Sequence, residues 1–208
     1  ILKKMNSYKK KICVVTGSRA EYGLLKNLIL KIKKSKKLDL KLIVTGMHLS
    51  KKYGFTYREI LDDNFKIAEK VNILNNSDNS SAISQSVSKG IMAFSKVFAK
   101  HKPEILLILG DRFEIFAAAS AAMFNRIPIA HIHGGEGTEG AIDDAIRHSI
   151  TKMSHLHFTA TGEYKNRVIQ LGENPTRVFN VGGMGIENIK RLNFLNKNEF
   201  EKSINFKL

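Results

Sequence analysis

Short apolar runs alternate with helix-like repeats along most of the chain. The runs are rich in β-branched residues and stop at polar turn residues, as strands do. Between them, apolar positions recur three or four residues apart, which is typical of amphipathic helices. Strands that alternate with helices predict an α/β fold, a parallel sheet between two helix layers with right-handed crossovers. The predicted strands are 11–15, 40–44, 68–73, 105–109, 128–133, 156–160 and 177–181.

The helical repeats fall between these strands. In the longest repeat, either Ser80 or Ser81 is the expected N-cap, and Lys102-Pro103 ends the helix. An alanine-rich repeat at 113–124 fits either the core or a contact between subunits. The predicted helices are 22–34, 57–62, 80–100, 113–124, 143–154, 163–171, 186–192 and 198–203.

The composition is that of one ordinary globular domain. The chain has 208 residues, of which 43% are hydrophobic and 25% are charged. Its apolar runs are strand-sized and its N-terminus lacks the order of a signal peptide, so a cytoplasmic location without membrane contact is expected. Met5 fits a natural start, so Ile1–Lys4 are expected not to belong to the natural protein. The single cysteine, Cys13, lies in a predicted strand, which argues against a disulfide scaffold and predicts a buried thiol.

A formal net charge of +15 raises the question of an anionic partner. A nucleic-acid surface would interleave its cations with stacking aromatics, whereas the lysines here are spread along the chain, for example at Lys26, Lys31 and Lys34. We therefore favour a solvated basic helix face and expect no nucleic-acid partner. The charge is compatible with an anionic substrate but does not demonstrate one.

Charged and small residues collect where the predicted strands end. Gly110-Asp111-Arg112 follows the strand at 105–109, and Glu114 extends the group. Such neighbours often form an ion pair that caps the next helix, but they also suit a site for a phosphorylated sugar. We favour a functional site, because ligands of open parallel sheets bind at the carboxyl ends of the strands.

The segment from Gly17 to Gly23 follows the first predicted strand and opens the first helix. N–H groups at a helix start attract phosphate, and Arg19 offers a bidentate donor. The segment is neither a P-loop nor a dinucleotide-binding fingerprint, and a plain strand-to-helix turn explains its spacing equally well.

Two histidines, His131 and His133, end the predicted strand at 128–133. In an extended strand they face the same side of the sheet. Two such imidazoles suit a metal site, yet HExxH spacing is absent, so we expect them to orient a ligand or bond locally, without a metal.

Asp143 and Arg147 are four residues apart, on one face of a predicted helix. Acids at a helix start complement the helix dipole, which accounts for one of the two aspartates there. The pair Asp143–Arg147 beside Glu136 also suits acid–base chemistry with shifted pKa values.

Taken in order, five segments resemble the hydrolysing UDP-N-acetylglucosamine 2-epimerases, in particular the branch of bacterial sialic-acid pathways. Together they cover nearly the whole chain, although no one segment is specific. In the cell-wall branch of that family a glutamate stands at the position of His133, so the histidine fits the sialic-acid branch. The segments are Thr16–Gly23, Thr45–Ser50, Gly110–Arg112, His131–Gly140 and Asp143–Phe158.

The resemblance implies a glycosyltransferase-B-like fold, in which two Rossmann-like domains enclose the active site. The chain then comprises a tail at 1–10, the Rossmann-like N-terminal domain at 11–192, and the start of the crossing to a second domain at 193–208. That second domain would supply much of the nucleotide binding and a catalytic histidine, so this chain alone is expected to be inactive. A homodimer or homotetramer is expected for the full-length enzyme.

The implied reaction is an elimination followed by hydration, without a cofactor. UDP leaves C1 of the nucleotide-sugar substrate as the C2 proton is removed, and water then adds to the 2-acetamidoglucal to give N-acetylmannosamine. The resemblance assigns acid–base roles to Asp111, Glu136, Asp143 and His133. It assigns substrate contacts to Arg19, Arg112, Arg147 and to His48, the last in a mobile substrate loop.

Three alternatives remain open at this point. The same reaction could act on a UDP-bacillosamine-type or GDP sugar for legionaminic-type acids. A glycosyltransferase of the same fold would transfer the sugar to an acceptor, and a basic nucleic-acid-binding domain would show affinity that falls steeply with salt. Neither of the last two accounts for the acids at the strand ends.

Overall fold

The computed structural model describes residues 8–75, 77, 79–138, 142–190 and 194–207. Over these ranges, seven parallel strands form one sheet in the order β3-β2-β1-β4-β5-β6-β7. The strands are β1 Lys10–Thr16, β2 Leu38–Thr45, β3 Ile67–Val71, β4 Ile105–Leu109, β5 Ile129–Ile132, β6 Leu156–Thr159 and β7 Val178–Asn180.

Six helices connect the successive strands and two more follow β7, and within the described residues each predicted strand and helix is present. The first helix begins at Arg19, three residues earlier than predicted, because the Ser18 hydroxyl accepts the N–H of Glu21 and caps it there. The helices are α1 Arg19–Lys34, α2 Tyr57–Asp62, α3 Ser80–His101, α4 Phe113–Phe124, α5 Asp143–Met153, α6 Gly162–Gln170, α7 Met184–Lys190 and α8 Lys197–Ile204. Short 3-10 helices cover Gly46–Leu49, Lys51–Tyr53 and Pro175–Arg177.

The start of α3 corrects the sequence prediction. Asn79, rather than Ser80 or Ser81, is the N-cap, and its side-chain oxygen accepts the N–H of Ala82 at 2.8 Å. The two serines lie within the first turn of the helix, where their carbonyl groups accept helical hydrogen bonds.

We expect Asn79→Ala to lower the free energy of unfolding by ~1 kcal/mol, because the N–H of Ala82 loses its acceptor. Ser80→Ala, one residue later, should change that free energy by less than about 0.5 kcal/mol. Urea unfolding of the two variants measures the difference. Equal losses would contradict the assignment of Asn79 as the cap.

Helices cover both faces of the sheet and enclose two cores. One core lies against α3, α4 and α5 and buries Phe94 and Phe98, and the other lies against α1 and α2. The alanines of α4 belong to the first core, so the alanine-rich stretch is interior, although Phe124 at its end is 73% exposed. Cys13 is a fully buried free thiol, as predicted.

The order of the strands reverses between β1 and β4. β1 pairs with β2 on one side and with β4 on the other, all parallel. At such a reversal the chain leaves the two strands toward opposite faces and opens a crevice at their carboxyl ends. The charged segments singled out in the sequence follow β1, β4 and β5, so they meet at this carboxyl edge.

Basic residues gather at the opposite, amino edge of the sheet. The turn after α1 lies there, because the N–H of Lys10 at the start of β1 donates to the carbonyl of Lys37 at 2.9 Å. Cations in the last turn of a helix complement the negative end of its dipole, which gives much of the positive charge a local role. Such residues are Lys31, Lys33 and Lys34 of α1, Lys100 and His101 of α3, and Lys152 of α5.

None of the helices that the structure describes combines the length and the apolar character needed to span a bilayer.

Candidate active site

Arg147 of α5 is the centre of the carboxyl edge. Its guanidinium, 6% exposed, donates through Nη2 to Asp111 Oδ2 and, at 3.0 Å, to Thr138 Oγ1. Through Nη1 it donates to the carbonyl oxygen of Glu136 at 2.7 Å and to Asp144 Oδ1 at 3.1 Å. We call Arg147, Asp111, Thr138 and Asp144 the arginine cluster. These four bonds hold the protein groups together, and the contact of Arg147 with the substrate stays a prediction.

Asp144, rather than Asp143, pairs with Arg147, which corrects the predicted ion pair. The Asp144 carboxylate also accepts the N–H of Thr138 at 2.8 Å, so it fastens the loop after β5 to α5. Asp143 lies half-buried in the first turn of the helix. Sequence reasoning missed Asp144 because spacings of three and four residues both allow contact on a helix face.

We expect Arg147→Met to lower the free energy of unfolding by ~2 kcal/mol, because Asp111 and Asp144 lose a buried counter-ion. The value is below that of a fully buried pair, since these carboxylates are 20% and 42% exposed. Arg19→Met is the matched control, because Arg19 is 73% exposed in its pair with Glu59. Denaturant unfolding should show that the control lowers the free energy of unfolding by less than about 0.5 kcal/mol. Similar losses in both variants would refute a structural role for Arg147.

His131 of β5 and His133, just past the end of that strand, face opposite sides of the sheet, contrary to the prediction. His131 donates through Nε2 to the carbonyl of Gly110 at 2.8 Å, and its Nδ1 lies 3.2 Å from the hydroxyl of Thr151. His133 has a φ of +65°, and its Nε2 accepts the N–H of Met184, at the start of α7, at 3.4 Å. Strand alternation fails at His133 because its backbone is left-handed rather than extended.

Glu136 lies in the loop after β5, with its side chain 26% exposed. Its Oε1 lies 3.1 Å from Nδ1 of His133. Burial raises the pKa of the Glu136 carboxyl. Gly135, with a φ of +78°, accepts a bond from Arg167 of α6 at 2.8 Å, so both α5 and α6 hold this loop.

Arg112 pairs with two buried carboxylates rather than with its neighbour Asp111. Nη2 donates to Glu114 Oε1 at 2.8 Å, and Nε lies 3.7 Å from Glu21 Oε1. Burial raises the pKa of Glu21 to about 7. The other oxygen of Glu21 accepts the N–H of Gly17 at 2.6 Å, so the ends of β1 and β4 are joined. Sequence reasoning missed Glu21, whose place beside the Gly17 turn was its only signal.

Arg19 and His48 lie at different depths. Arg19 is exposed in the first turn of α1 and pairs with Glu59 at 3.0 Å, which leaves it accessible to a ligand. His48 is fully buried between the hydroxyls of Thr16 at 3.1 Å and Thr56 at 2.8 Å. Burial lowers the pKa of His48 to about 4. His48 is thus a residue of a short 3-10 helix with its ring buried, and its contact with the substrate stays a prediction.

Within the described ranges, no three His, Cys, Asp or Glu side chains are placed to hold a metal ion. His155 accepts the N–H of Ile129 at 3.3 Å, and His157 lies 3.1 Å from Glu173, so both bond locally. Glu139 and Gly140 of the predicted site segment, and the predicted domain boundary after residue 192, lie outside the described residues.

The fold and the carboxyl edge define a class of protein. An α/β domain that gathers carboxylates and guanidinium groups at a reversal of strand order is built to bind a small ligand there. The chain belongs to the UDP-N-acetylglucosamine 2-epimerase family, which matches residues 30–207.

Two bacterial relatives show the extent of the likeness. The chain is 48% identical over 200 residues to a Campylobacter jejuni protein named GDP/UDP-N,N'-diacetylbacillosamine 2-epimerase (hydrolyzing), covering 96% of this chain and 52% of that protein. It is also 48% identical over 192 residues to polysialic acid biosynthesis protein P7 of Escherichia coli, covering 92% of this chain and 49% of that protein. The chain thus spans about half the length of the curated relatives it matches.

A solved structure shares the fold. UDP-GlcNAc 2-epimerase from Neisseria meningitidis, bound to UDP-GlcNAc, superposes with a TM-score of 0.76 at 22% identity. The match covers 93% of this chain and 53% of that one. The seven-stranded Rossmann-like sheet is therefore the N-terminal half of a glycosyltransferase-B-like fold, as the resemblance implied.

Proposed function

We propose that the natural full-length protein is a hydrolysing 2-epimerase of a UDP-linked 2-acetamido sugar. The observation that carries the proposal is the arginine cluster, which holds Asp111 at the carboxyl edge beside the Glu136 loop. An elimination needs a group that takes a proton and cations that stabilise a departing diphosphate. This edge supplies both, in a chain of the epimerase family.

In the proposed reaction a carboxylate removes the C2 proton while the C1–O bond breaks and UDP departs. Water then adds across the double bond of the 2-acetamidoglucal, with hydroxide to C1 and a proton to C2 from the opposite face. We assign the proton transfers to Asp111, Glu136 and Asp143. We assign the diphosphate contacts to Arg19 and Arg112, and the reaction needs no cofactor.

The raised pKa of Glu136 supports its place in this scheme. A carboxyl group that accepts and returns a proton works best when its pKa lies near the operating pH. Its loop is fixed by Arg147 and Arg167, so the carboxylate can be held in one place through both half-reactions.

The sugar that we favour is of the N,N'-diacetylbacillosamine type, because the Campylobacter jejuni relative is named for that substrate. UDP-N-acetylglucosamine is the second candidate. It is supported by the family to which the chain belongs and by the ligand of the Neisseria meningitidis structure. The two sugars differ at C4 and C6, where a buried polar partner can discriminate strongly.

The test is incubation of the full-length protein with each UDP-sugar, followed by detection of UDP and of the free 2-epimer. In D₂O the product should carry deuterium at C2. We expect kcat/KM for the bacillosamine-type sugar to exceed that for UDP-N-acetylglucosamine at least about tenfold. A higher kcat/KM for UDP-N-acetylglucosamine would make that sugar the preferred substrate. Release of UDP without a 2-epimer, or only with an added acceptor, would refute the proposed epimerase activity.

A further inference from the structure

We propose that His133 is a positioning residue, which fixes the Glu136 carboxylate and joins it to the start of α7, rather than a group that exchanges protons with the sugar. The kinetic part of this inference rests on the proposed function. The ring geometry carries a second test that needs no substrate.

Both ring nitrogens of His133 face protein groups. Nε2 accepts the backbone N–H of Met184 at 3.4 Å, and Nδ1 lies 3.1 Å from Glu136 Oε1. A neutral imidazole has one protonated and one accepting nitrogen. Because Nε2 accepts here, the proton lies on Nδ1 and faces the Glu136 carboxylate. Burial lowers the pKa of His133, which favours this neutral form.

The backbone places the ring in this position. Ala130 and Ile132 of β5 face the core that also contains Met184, so alternation would turn residue 133 toward the other core. A φ of +65° reverses that direction and brings the imidazole of His133 to α7. Histidine is among the few residues other than glycine that enter the left-handed region with any frequency.

Glu136 is better placed than His133 to reach a ligand. The Glu136 side chain is 26% exposed and that of His133 is 16% exposed. Among the described residues, the polar contact of the Glu136 carboxylate is with His133, through Oε1. Its second oxygen is thereby left for the substrate, while the imidazole holds the first.

The kinetic test uses two variants that both tolerate the left-handed backbone, His133→Asn and His133→Gly. The amide of asparagine can place a donor near the position of Nδ1, whereas glycine has none. We expect His133→Asn to lower kcat less than about tenfold and His133→Gly to lower it ~100-fold or more, with KM changed less than about threefold. Glu136→Gln should lower kcat at least as much as His133→Gly.

The outcomes separate the two roles. If His133 itself exchanged protons with the sugar, asparagine could not replace it, and equal losses in the two variants would overturn the proposal. A smaller loss in His133→Asn than in His133→Gly supports the positioning role. A loss that came only from misfolding would not depend on whether residue 133 has a donor near the position of Nδ1.

The second test measures the tautomer of the His133 ring directly. Long-range ¹H–¹⁵N spectra of the histidine-labelled full-length protein distinguish the two neutral tautomers, and the signal that disappears in His133→Asn is that of His133. We expect His133 to carry its proton on Nδ1 at pH 7. A proton on Nε2 would overturn the inference even in an active enzyme. If no UDP-sugar were turned over, the proposed function would fail while this measurement still decided the role of His133.

Discussion

Asp111→Asn in the full-length protein is expected to lower kcat ~1000-fold or more while the free energy of unfolding changes by less than about 1 kcal/mol. Asparagine keeps the size of the side chain and one oxygen that can accept from Arg147, so the arginine cluster survives. The asparagine amide carries no negative charge, so it cannot take the C2 proton from the sugar. Steady-state kinetics and denaturant unfolding of the same preparation measure the two quantities.

Asp144→Asn is the matched control, because Asp144 accepts from the same guanidinium at 3.1 Å. If the loss at Asp111 came only from a weakened cluster, the two variants would lose similar activity. We expect Asp144→Asn to lower kcat about tenfold, because Asp144 affects the reaction only by positioning Arg147. A folded Asp111→Asn enzyme with a near-normal rate would remove Asp111 from the catalytic group.

Gly135→Ala is expected to lower the free energy of unfolding by about 3 kcal/mol or more. The residue has a φ of +78°, and an added Cβ would collide with the carbonyl oxygen of Tyr164 and lie 2.9 Å from Val168 Cγ2. The carbonyl belongs to α6, whose backbone cannot yield without loss of helical hydrogen bonds. Thermal or urea unfolding of the variant measures the effect.

Gly54 provides a control with the same backbone angle. Its φ is also +78°, but nothing lies within 4 Å of an added Cβ. Gly54→Ala should therefore cost only the left-handed conformation, ~1 kcal/mol. Equal destabilisation by the two alanines would show that the loop after β5 is not packed against α6 as described.

The architecture could be predicted from the sequence because each element carries its own signal. β4 and α4 end where the apolar run at 105–109 and the alanine-rich repeat at 113–124 end. Caps were less predictable, since asparagine and serine suit the position nearly equally. Asn79 precedes two serines, and only the path of the chain into α3 selects it.

The site was less predictable, because its contacts join residues far apart in the chain. The sequence indicated that Asp111 and Arg112 lie at a strand end, and this is confirmed. It could not indicate that Arg112 pairs with Glu114 and lies near Glu21, whereas Asp111 pairs with Arg147. Nor could periodicity reveal the left-handed backbone of His133, which reverses the side that the ring faces.

The reversal of strand order between β1 and β4 also bears on how the molecule folds. A chain that has formed only β1, β2 and β3 holds Glu21 but lacks Arg112 and the whole arginine cluster. Closing β4 onto β1 is a non-local step of the kind that slows folding. Any anion that binds this edge would thus recognise only the finished sheet and draw the folding equilibrium toward it by mass action.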